Sequence, residues 1–391
     1  MEGDFIKTNK WLLPLSWLYG LAVRARNSLF EMGVLKSRAF DLPVISVGNI
    51  TVGGTGKTPH VEYLARLLKG QYKVAVLSRG YMRHSRGFVK ADANTPMRTI
   101  GDEPYQMKQK FSDVTIAVDK NRCHGIDTLT AEDPNLDVIL LDDAFQHRYV
   151  KPGINILLVD YHRLIIYDKL LPAGRLREPL KGKDRANVVI VTKCPKELKP
   201  MEYRVITKAM QLYPYQRLYF TTVDYADLRP LFQPSRQEPP TLDSLHDTHV
   251  LLVTGIASPE QMIHDLTPHT SHLTPLTFAD HHQFRHKDVQ LINDTFAAMP
   301  SPKLIITTEK DATRLKDTEG LTDDVRANLY VLPLHISFMQ DQEETFDRQI
   351  TDYVRKNSKN SILNRDKDKD DLKPNNSGPE ASEKPRTISF R

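Results

Sequence analysis

The sequence VISVGNITVGGTGKT, residues 44–58, reads as an apolar strand that runs into a glycine-rich loop and then into a helix. Glycine lets such a loop turn its backbone N–H groups inward, where they can surround a polyphosphate. The loop ends in Lys57, whose ammonium can reach phosphate oxygens, and Thr58, whose hydroxyl can bind Mg²⁺ as the helix begins. The stretch therefore predicts a nucleoside triphosphate site.

One residue of this loop departs from the strict phosphate-loop spacing. That spacing has a glycine five residues before Gly56, where this chain has Thr51. A plain glycine turn is the alternative interpretation, but Gly-Lys-Thr at a strand-to-helix junction favours nucleotide binding. The residues that we expect at the nucleotide are Thr51, Gly53, Gly54, Thr55, Gly56, Lys57 and Thr58.

Apolar runs of strand length recur downstream, separated by segments of helix length. The runs are 74–77, 114–118, 138–141, 154–159 and 188–191, followed by 250–254, 303–307 and 329–334. Apolar runs without alternation indicate a parallel sheet that is covered on both faces. Since a proline-rich stretch divides the two sets, the sequence predicts an α/β/α sandwich of the phosphate-loop type and a second, smaller α/β domain.

Composition narrows the possible classes of protein. A chain of 391 residues is long enough for two domains, and its net charge of +5 gives no reason to expect nucleic acid as a partner. Its two cysteines, Cys123 and Cys194, lack the spacing of a thiolate metal site. No stretch approaches the ~20 apolar residues of a membrane span. Residues 357–391 are charged and polar and are predicted to be disordered.

The N-terminal segment, residues 1–40, is apolar and aromatic. Trp11, Trp17 and Tyr19 lie in a run with helical periodicity, which lysines and arginines flank. Rings at headgroup depth and cations near anionic lipid are typical of a helix on a membrane surface. A helix packed on the protein's own core is the alternative, and the residues favour the two equally.

The run VILLDD, residues 138–143, is a predicted buried strand that ends in two carboxylates. In phosphate-loop enzymes an acid at such a strand end holds Mg²⁺ beside the loop threonine. Because side chains alternate along a strand, we expect one of Asp142 and Asp143 to serve the metal. Gln146 and His147 follow in the loop above the sheet, where open α/β folds bind substrates.

Two further segments carry candidate proton-transfer groups. Asp102 and Glu103 of GDEP are predicted in a loop, where an acid is ordinarily a solvated turn residue or a helix cap. A kinase, however, needs a carboxylate or imidazole to orient the attacking hydroxyl. In FADHHQF, residues 278–284, His281 lies between Asp280 and another histidine. Without helical ligand spacing or a cysteine, a carboxylate-held or purely structural histidine is favoured over zinc.

A basic segment, LLPAGRLREPLKGK at residues 170–183, contains Arg175 among apolar residues and prolines. A guanidinium there can fork onto a phosphate. An exposed basic loop without a ligand is the alternative interpretation.

These pieces, in this order, resemble one family, the tetraacyldisaccharide 4'-kinases, which are the lipid A 4'-kinases of Gram-negative bacteria. The match covers about residues 41–315, and four of its motifs, GGTGKTP, GDEP, DDAFQH and LPAGRLREP, are highly specific together. Met82 and Ala144 stand where glycines are more usual. The matching motifs are VGNITVGGTGKTP, SRGYMR, GDEP, DKNR, DDAFQHR, LLPAGRLREP, TGIASP, FADHHQF and TTEKDA.

The resemblance implies an activity and an architecture. Family members transfer the γ-phosphate of ATP, with Mg²⁺, to the 4'-hydroxyl of an acylated glucosamine disaccharide 1-phosphate lipid, which gives lipid IVA. They act at the cytoplasmic face of the bacterial inner membrane and are attached peripherally by an N-terminal helix. A two-stranded β linker joins their two α/β/α domains. In this chain the implied segments are 1–40 for the membrane helix, 41–215 for the kinase domain, 216–356 for the linker and second domain, and 357–391 for the tail.

The resemblance also implies roles for single residues. Lys57 and Thr58 would serve ATP and Mg²⁺, and Arg122 of DKNR would act at the phosphates. Asp102 would activate the acceptor hydroxyl together with His281. The residues implied at the metal besides Thr58 are Glu103, Asp142 and Asp143, and those implied at the acceptor lipid are Tyr81, Gln146, His147 and Arg175.

Two functions of other classes are weighed against the kinase. One is a phosphate-loop GTPase or ATPase that delivers a metal or assembles a complex, although the guanine motif NKxD is missing. The other is a nucleotide-gated module that binds membranes without catalysis. Neither accounts for LPAGRLREP and FADHHQF, so the kinase is the favoured hypothesis.

Overall fold

The computed structural model describes residues 8–232 and 238–358, so the tail predicted to be disordered lies outside the described residues from 359 onward. The strands are β1 (Val44–Gly48), β2 (Val74–Ser78), β3 (Val89–Lys90), β4 (Thr115–Val118), β5 (Val138–Asp142), β6 (Ile154–Asp160), β7 (Val188–Thr192), β8 (Arg217–Tyr225), β9 (Arg229–Pro230), β10 (His249–Thr254), β11 (His272–Thr277), β12 (Lys303–Thr308), β13 (Leu329–Leu332) and β14 (Leu334–Phe338). The helices are α1 (Leu13–Glu31), α2 (Lys57–Leu68), α3 (Met97–Ile100), α4 (Asp102–Lys110), α5 (Arg122–Glu132), α6 (Pro200–Met210), α7 (Glu260–Leu266), α8 (His286–Ala298), α9 (Glu309–Leu315), α10 (Asp323–Ala327) and α11 (Glu343–Asn357).

A large, mostly parallel sheet forms the first domain. Within the described ranges its nine strands follow the order β14-β8-β7-β6-β1-β5-β2-β4-β3, with antiparallel pairing at β14 and β3. The strand β1 lies between β5 and β6, and Val47 pairs with Asp142 on one side and Ile156 on the other. Because parallel strands end at a common edge, the loop after β1 and the carboxylates that end β5 lie side by side.

Helices cover both faces of this sheet. Ile45 and Val47 of β1 belong to a core that includes residues of α2, α4 and α11. Val44 and the alternate residues of β2 and β5 pack instead against α5, while β6 and β7 pack against α6. Such burial on both faces explains the unbroken apolar runs of the sequence. The predicted α/β/α sandwich is confirmed.

A smaller sheet forms the second α/β unit. In the described residues it has five strands in the order β11-β10-β12-β13-β9, with α7 packed on one face and α8 and α10 on the other. The prediction of a single strand at 329–334 is wrong. Pro333, which has no N–H to donate, separates β13 of the small sheet from β14 of the large one.

The chain enters the small sheet after β8 and returns from it at β14. These two strands pair with each other and extend the large sheet beyond β7. The helix α11 then packs on the large sheet through Phe346, Ile350 and Val354. The segments 41–215 and 216–356 stay predictions as domain units, and the structure adds that 217–225 and 334–357 lie with the first sheet.

The N-terminal helix α1 has one face on the protein and one face in solvent. Ser16 donates a hydrogen bond to the carbonyl of Leu170 at 3.0 Å, and the Tyr19 hydroxyl donates to the carbonyl of Arg177 at 2.6 Å. On the other side Trp17 is 85% exposed, and Trp11, in the turn before the helix, is 92% exposed. None of the described helices is long and apolar enough to cross a membrane.

The packing of α11 gives a first prediction. Replacing the fully buried Ile350 by alanine should reduce the free energy of unfolding by about 2–5 kcal/mol, because the truncation leaves a cavity in the first domain's core. Chemical denaturation followed by circular dichroism measures this loss. Arg348→Ala on the exposed side of the same helix is the control, and an equal loss there would contradict the assigned packing.

Candidate active site

The phosphate-binding loop connects β1 to α2 with the backbone shape expected of it. Gly53 and Gly56 have φ angles of 114° and 81°, a region that favours glycine. The φ angle of Thr51 is not positive, and the residue forms an isolated β-bridge with Leu176, so this position does not require glycine. This pairing explains why the loop tolerates the departure from the strict spacing. The side chain of Asn49 stabilises the turn by donating to the Thr55 hydroxyl at 2.8 Å.

A cavity of about 230 Å³ lies over this loop, between the two domains. Lys57 and Thr58 line it at the beginning of α2, where the free N–H groups of a helix favour an anion. Glu103 and residues 308–310 close it from α4 and α9. Its apolar wall includes Val223, Met262, Leu332, Leu334 and Ile336. The cavity therefore has a phosphate-binding end and an apolar end.

The two carboxylates after β5 lie together beside Lys57. Asp143 has a φ of 46°, so the strand alternation on which the prediction of opposite faces depends ends at Asp142, and which of the two acids serves the metal stays a prediction. Asp143 Oδ1 lies 3.7 Å from the Lys57 ammonium, and Asp143 Oδ2 lies 3.4 Å from the Arg177 guanidinium. Despite burial, these two cations lower the pKa of Asp143. Burial, Glu103 and Asp143 raise the pKa of Asp142 to about 7.

Asp102 and Glu103 open the helix α4 and do not lie in a loop, which corrects the sequence-based expectation. Gly101, with a φ of 92°, makes the turn before the helix, and Pro104 is tolerated because first-turn N–H groups have no partner within the helix. Acids in a first turn are also favoured by the helix dipole. The turn directs Asp102 towards the second domain.

One oxygen of Asp102 contacts three nitrogen atoms of the second domain, which belong to His281 and Arg314. His281 Nδ1 lies 3.2 Å from Asp102 Oδ2, and both the Nε and Nη2 of Arg314 donate to the same atom, Nε at 3.0 Å. Burial raises the pKa of Asp102, but His281 and Arg314 together lower it to about 2. The carboxylate is therefore ionised at neutral pH. The predicted pair of Asp102 and His281 is in hydrogen-bond contact.

Arg122 is buried next to the acid pair. Its Nη1 and Nη2 donate to the backbone carbonyls of Asp119 and Asp142, both at 3.1 Å. Burial lowers the pKa of Arg122 to about 10. Arg122 thus holds the end of β5 through Nη2, and its Nε donates to no partner among the described residues. The expected phosphate contact of Arg122 stays a prediction.

The residues implied at the acceptor surround the site at different depths. Tyr81 is exposed, and its ring centroid lies 5.3 Å from that of His281. Gln146 donates to the carbonyl of Asn49 and thereby contacts the phosphate-binding loop. Burial and the nearby guanidinium groups lower the pKa of His147 to about 4, so its ring is neutral at pH 7.

Arg175 lies on the outer side of the phosphate-binding loop. Its carbonyl accepts from the backbone N–H of Val52 at 2.8 Å, and its own N–H donates to Asp168 at 3.2 Å. The exposed side chain lines a polar cavity of about 760 Å³ together with Thr51 and Gly53. The structure thus brings Arg175 to the loop but leaves it apart from Asp102 and His281, which do not line this cavity.

Comparison with known proteins identifies the family. The family model described as Tetraacyldisaccharide-1-P 4'-kinase, LpxK, matches residues 8–355. The chain belongs to this kinase family. A tetraacyldisaccharide 4'-kinase from Phocaeicola vulgatus is 59% identical over 365 residues, or 92% of this chain and 99% of the relative. One from Bacteroides thetaiotaomicron is 53% identical over 92% of this chain and 97% of the relative.

A solved structure supports the same assignment. It is a crystal structure of LpxK from Aquifex aeolicus in complex with ATP, and it matches this chain with a TM-score of 0.66. The sequence identity is 29%, and the match covers 88% of this chain and 98% of that protein. The fold predicted for the family is therefore found in this member.

Among the residues that the structure describes, no group of three or more His, Cys, Asp or Glu side chains could hold a metal ion, so the predicted Mg²⁺ site of this LpxK family member stays a prediction, with two buried carboxylates as its candidate ligands. Oδ1 of Asp142 and Oδ1 of Asp143 are buried and accept no hydrogen bond from the described residues. Carboxylate oxygens are the ligands that Mg²⁺ prefers, and the pKa of Asp142 is raised by burial and, after it, by an excess of negative charge nearby. Glu103 contributes to that excess, and Thr58 lines the same cavity as Glu103.

Sequence reasoning gave no role to the cations of α9: Lys310 lies in the matching TTEKDA motif without an assigned role, and Arg314 was missed. Arg314 contacts Asp102, and Lys310 donates to Asp280 at 3.0 Å and to His281 Nε2 at 3.1 Å. The sequence contains a signal for this pair: two basic residues four apart share one helix face. Their targets could not be read from it, because both lie in distant segments.

The unequal acids of this kinase site give a second prediction. In EDTA at pH 8, Asp142→Asn should raise the free energy of unfolding by about 1–4 kcal/mol, because a carboxyl whose pKa is raised on folding destabilises the protein above that pKa. The gain should decline between pH 7 and pH 4, as the native carboxyl becomes protonated. Thermal denaturation across pH measures it.

Asp143→Asn is the matched control for this prediction. The pKa of the Asp143 carboxyl is lowered on folding, so removal of this carboxyl should destabilise the protein at pH 8. If both variants lost stability equally at pH 8, the assigned charge imbalance at Asp142 would be wrong.

Proposed function

We propose that this chain transfers the γ-phosphate of ATP to the 4'-hydroxyl of a tetraacyldisaccharide 1-phosphate. The observation that carries the proposal is the contact of Asp102 with His281 at the side of a cavity lined by Lys57. Glu103, the neighbour of Asp102, lines that cavity. Membership of the kinase family supports the choice of reaction and acceptor.

The phosphate-binding loop and the cavity suit ATP. The N–H groups at the start of α2 and the Lys57 ammonium provide donors and positive charge for a triphosphate. The apolar end, with Val223, Leu334 and Ile336, offers a surface for a base. The ATP complex of the Aquifex aeolicus relative supports the same nucleotide.

Asp102 is the residue that we assign to the acceptor hydroxyl. Its Oδ2 is occupied by His281 and Arg314, whereas no hydrogen bond from the described residues reaches Oδ1. An ionised carboxylate with one open oxygen can accept and orient the proton of an attacking hydroxyl. Positioning of this kind supplies much of the rate in phosphoryl transfer.

Thr58, Glu103, Asp142 and Asp143 are the residues that would hold Mg²⁺. When bound there, the ion would neutralise charge on the phosphate oxygens. The buried Oδ1 atoms of Asp142 and Asp143, which accept no hydrogen bond from the described residues, support this assignment. Lys57 and Arg177 keep Asp143 in place and partly balance its charge.

The acceptor is a lipid, and α1 is suited to bring the protein to it. Trp17 projects from the side of α1 that faces solvent and Trp11 from the turn before the helix, while Ser16 and Tyr19 tie the other side of α1 to residues 170–177. We therefore propose peripheral attachment to the cytoplasmic face of the inner membrane. The contacts of Tyr81, Gln146, His147 and Arg175 with the acceptor belong to the same proposal.

The test of this function is a transfer assay. Purified protein is incubated with γ-labelled ATP, Mg²⁺ and detergent-dispersed tetraacyldisaccharide 1-phosphate, and the lipid is separated and counted. Label in a bisphosphorylated lipid, lost in Lys57→Ala, is the expected result. Label in free phosphate alone, at a rate independent of lipid, would favour a nucleotide hydrolase and overturn the proposal.

A third prediction concerns Asp102. Asp102→Ala should lower kcat of transfer by roughly 10²–10⁴-fold, the usual contribution of a proton-transfer group. ATP affinity should stay within about threefold, because Asp102 does not line the cavity itself. Steady-state kinetics and ATP titration measure both. Asp113→Ala, an exposed acid after the same helix, is the control, and near-normal kcat in Asp102→Ala would remove Asp102 from the mechanism.

A fourth prediction concerns the membrane. Replacing both Trp11 and Trp17 by alanine should weaken binding to anionic vesicles at least tenfold. The reason is that burial of each apolar ring in the membrane contributes about 1.5–3 kcal/mol to the free energy of binding. The melting temperature should not change, because both rings are exposed. Vesicle sedimentation measures the binding. Leu291→Ala on α8 serves as the exposed apolar control, and unchanged sedimentation of the double variant would argue against α1 as the attachment site.

A further inference from the structure

The helix α9 presents a buried guanidinium to the first domain. The side chain of Arg314 is only 1% exposed and contacts Asp102 across the domain boundary. Its Nε and Nη2 both donate to Asp102 Oδ2, while Nη1 donates to Asp311 Oδ1 at 3.1 Å. A guanidinium has a planar fork that holds an oxygen from two sides, which an ammonium cannot do.

The inner partner of this guanidinium is itself fixed. Asp311 is fully buried, and its Oδ2 accepts from the N–H of Gly255 at 2.9 Å and the hydroxyl of Thr308 at 2.7 Å. Every oxygen of Asp311 thus has a donor, and Arg314 is held in one orientation. A side chain fixed in this way can fix a second carboxylate in turn.

A second cation of α9 acts on the histidine of the pair. Lys310 Nζ can only donate, so His281 Nε2, 3.1 Å away, accepts from it. The ring proton of the neutral histidine is then on Nδ1, which donates to Asp102 Oδ2. Arg314 Nη2 and His281 Nδ1 lie 3.4 Å apart because both donate to that one oxygen.

We propose that Arg314 is a positioning residue of the phosphoryl transfer, which holds Asp102 by Oδ2 so that Oδ1 faces the acceptor hydroxyl. The inference rests on the proposed function of Asp102. Arg314 lines neither the cavity over the phosphate-binding loop nor the outer polar cavity, so it acts through Asp102 and not on the nucleotide. A guanidinium that merely supported the fold would matter equally with or without the Asp102 carboxylate.

A double-mutant cycle on the full chain separates the two roles. The kcat of lipid phosphorylation and the KM of ATP are measured for Arg314→Gln, Asp102→Asn and the double variant. Alone, Arg314→Gln should lower kcat roughly 10–100-fold, the cost of a misplaced reacting group, with the KM of ATP within about threefold. In the Asp102→Asn background the same change should cost less than about threefold.

Two further variants complete the design. Lys316→Gln removes an exposed charge from the end of the same helix and should leave kcat unchanged. Arg314→Lys keeps the buried charge but loses the fork, so kcat should lie between those of wild type and Arg314→Gln. Should Arg314→Gln fail to fold, as thermal denaturation reports, Arg314→Lys takes its place in the cycle with the same expected pattern.

The outcomes distinguish this inference from the proposed function. The positioning role is overturned if the Arg314 substitution lowers kcat by the same factor in the wild-type and Asp102→Asn backgrounds. It is also overturned if the folded Arg314 variant keeps the wild-type kcat. The positioning role is supported if the Arg314 substitution lowers kcat only in the background that keeps Asp102 and leaves the KM of ATP unchanged. Absence of lipid phosphorylation by the wild-type protein would instead overturn the proposed function itself.

Discussion

The antiparallel pair of β8 and β14 is the constraint on which the site depends. The chain leaves the large sheet after β8 and returns to it at β14, and the N–H of Ala226 donates to the carbonyl of Pro333 where the two crossings meet. Both ends of the small domain are therefore fixed to one edge of the large sheet. This attachment brings His281 to Asp102 across 179 residues of sequence.

Each domain contributes cations that contact acidic or imidazole side chains of the other domain at the same boundary. Arg314 and Lys310 of the second domain contact Asp102 and His281, whereas Lys110 of α4 in the first domain lies 2.5 Å from Glu62 and 2.6 Å from Glu309. These pairs are largely buried, so removal of one partner would leave a costly unpaired charge. The boundary consequently favours one arrangement of the domains, and that arrangement is also the one that assembles the proposed catalytic pair.

Much of the fold could be predicted because its signals are local. Unbroken apolar runs identify buried parallel strands, and GGTGKT identifies the loop through its own geometry. Other features depend on backbone angles or contacts that the sequence does not display. The positive φ of Asp143 ends the strand alternation at Asp142, and Pro333 divided one expected strand between two sheets. Met82 also has a positive φ, which explains why glycine is more usual there.

The candidate site was less predictable than the fold for a physical reason. Motif residues such as Lys57 and Asp102 could be named from the resemblance, since their neighbours in sequence identify them. The role of Arg314 depends on what lies opposite it in space, and its partner is 212 residues away. Position along a helix indicates which residues share a face, but not which carboxylate that face meets.

The insertion of one domain within the other has a consequence for the order of folding. The strands that the structure describes in the small sheet are all complete once β13 has been made. The large sheet still lacks its edge strand β14 and the side chains of α11 that fill its core. During synthesis the inserted domain can therefore close first, while the phosphate-binding domain exposes apolar surface until its last helix leaves the ribosome.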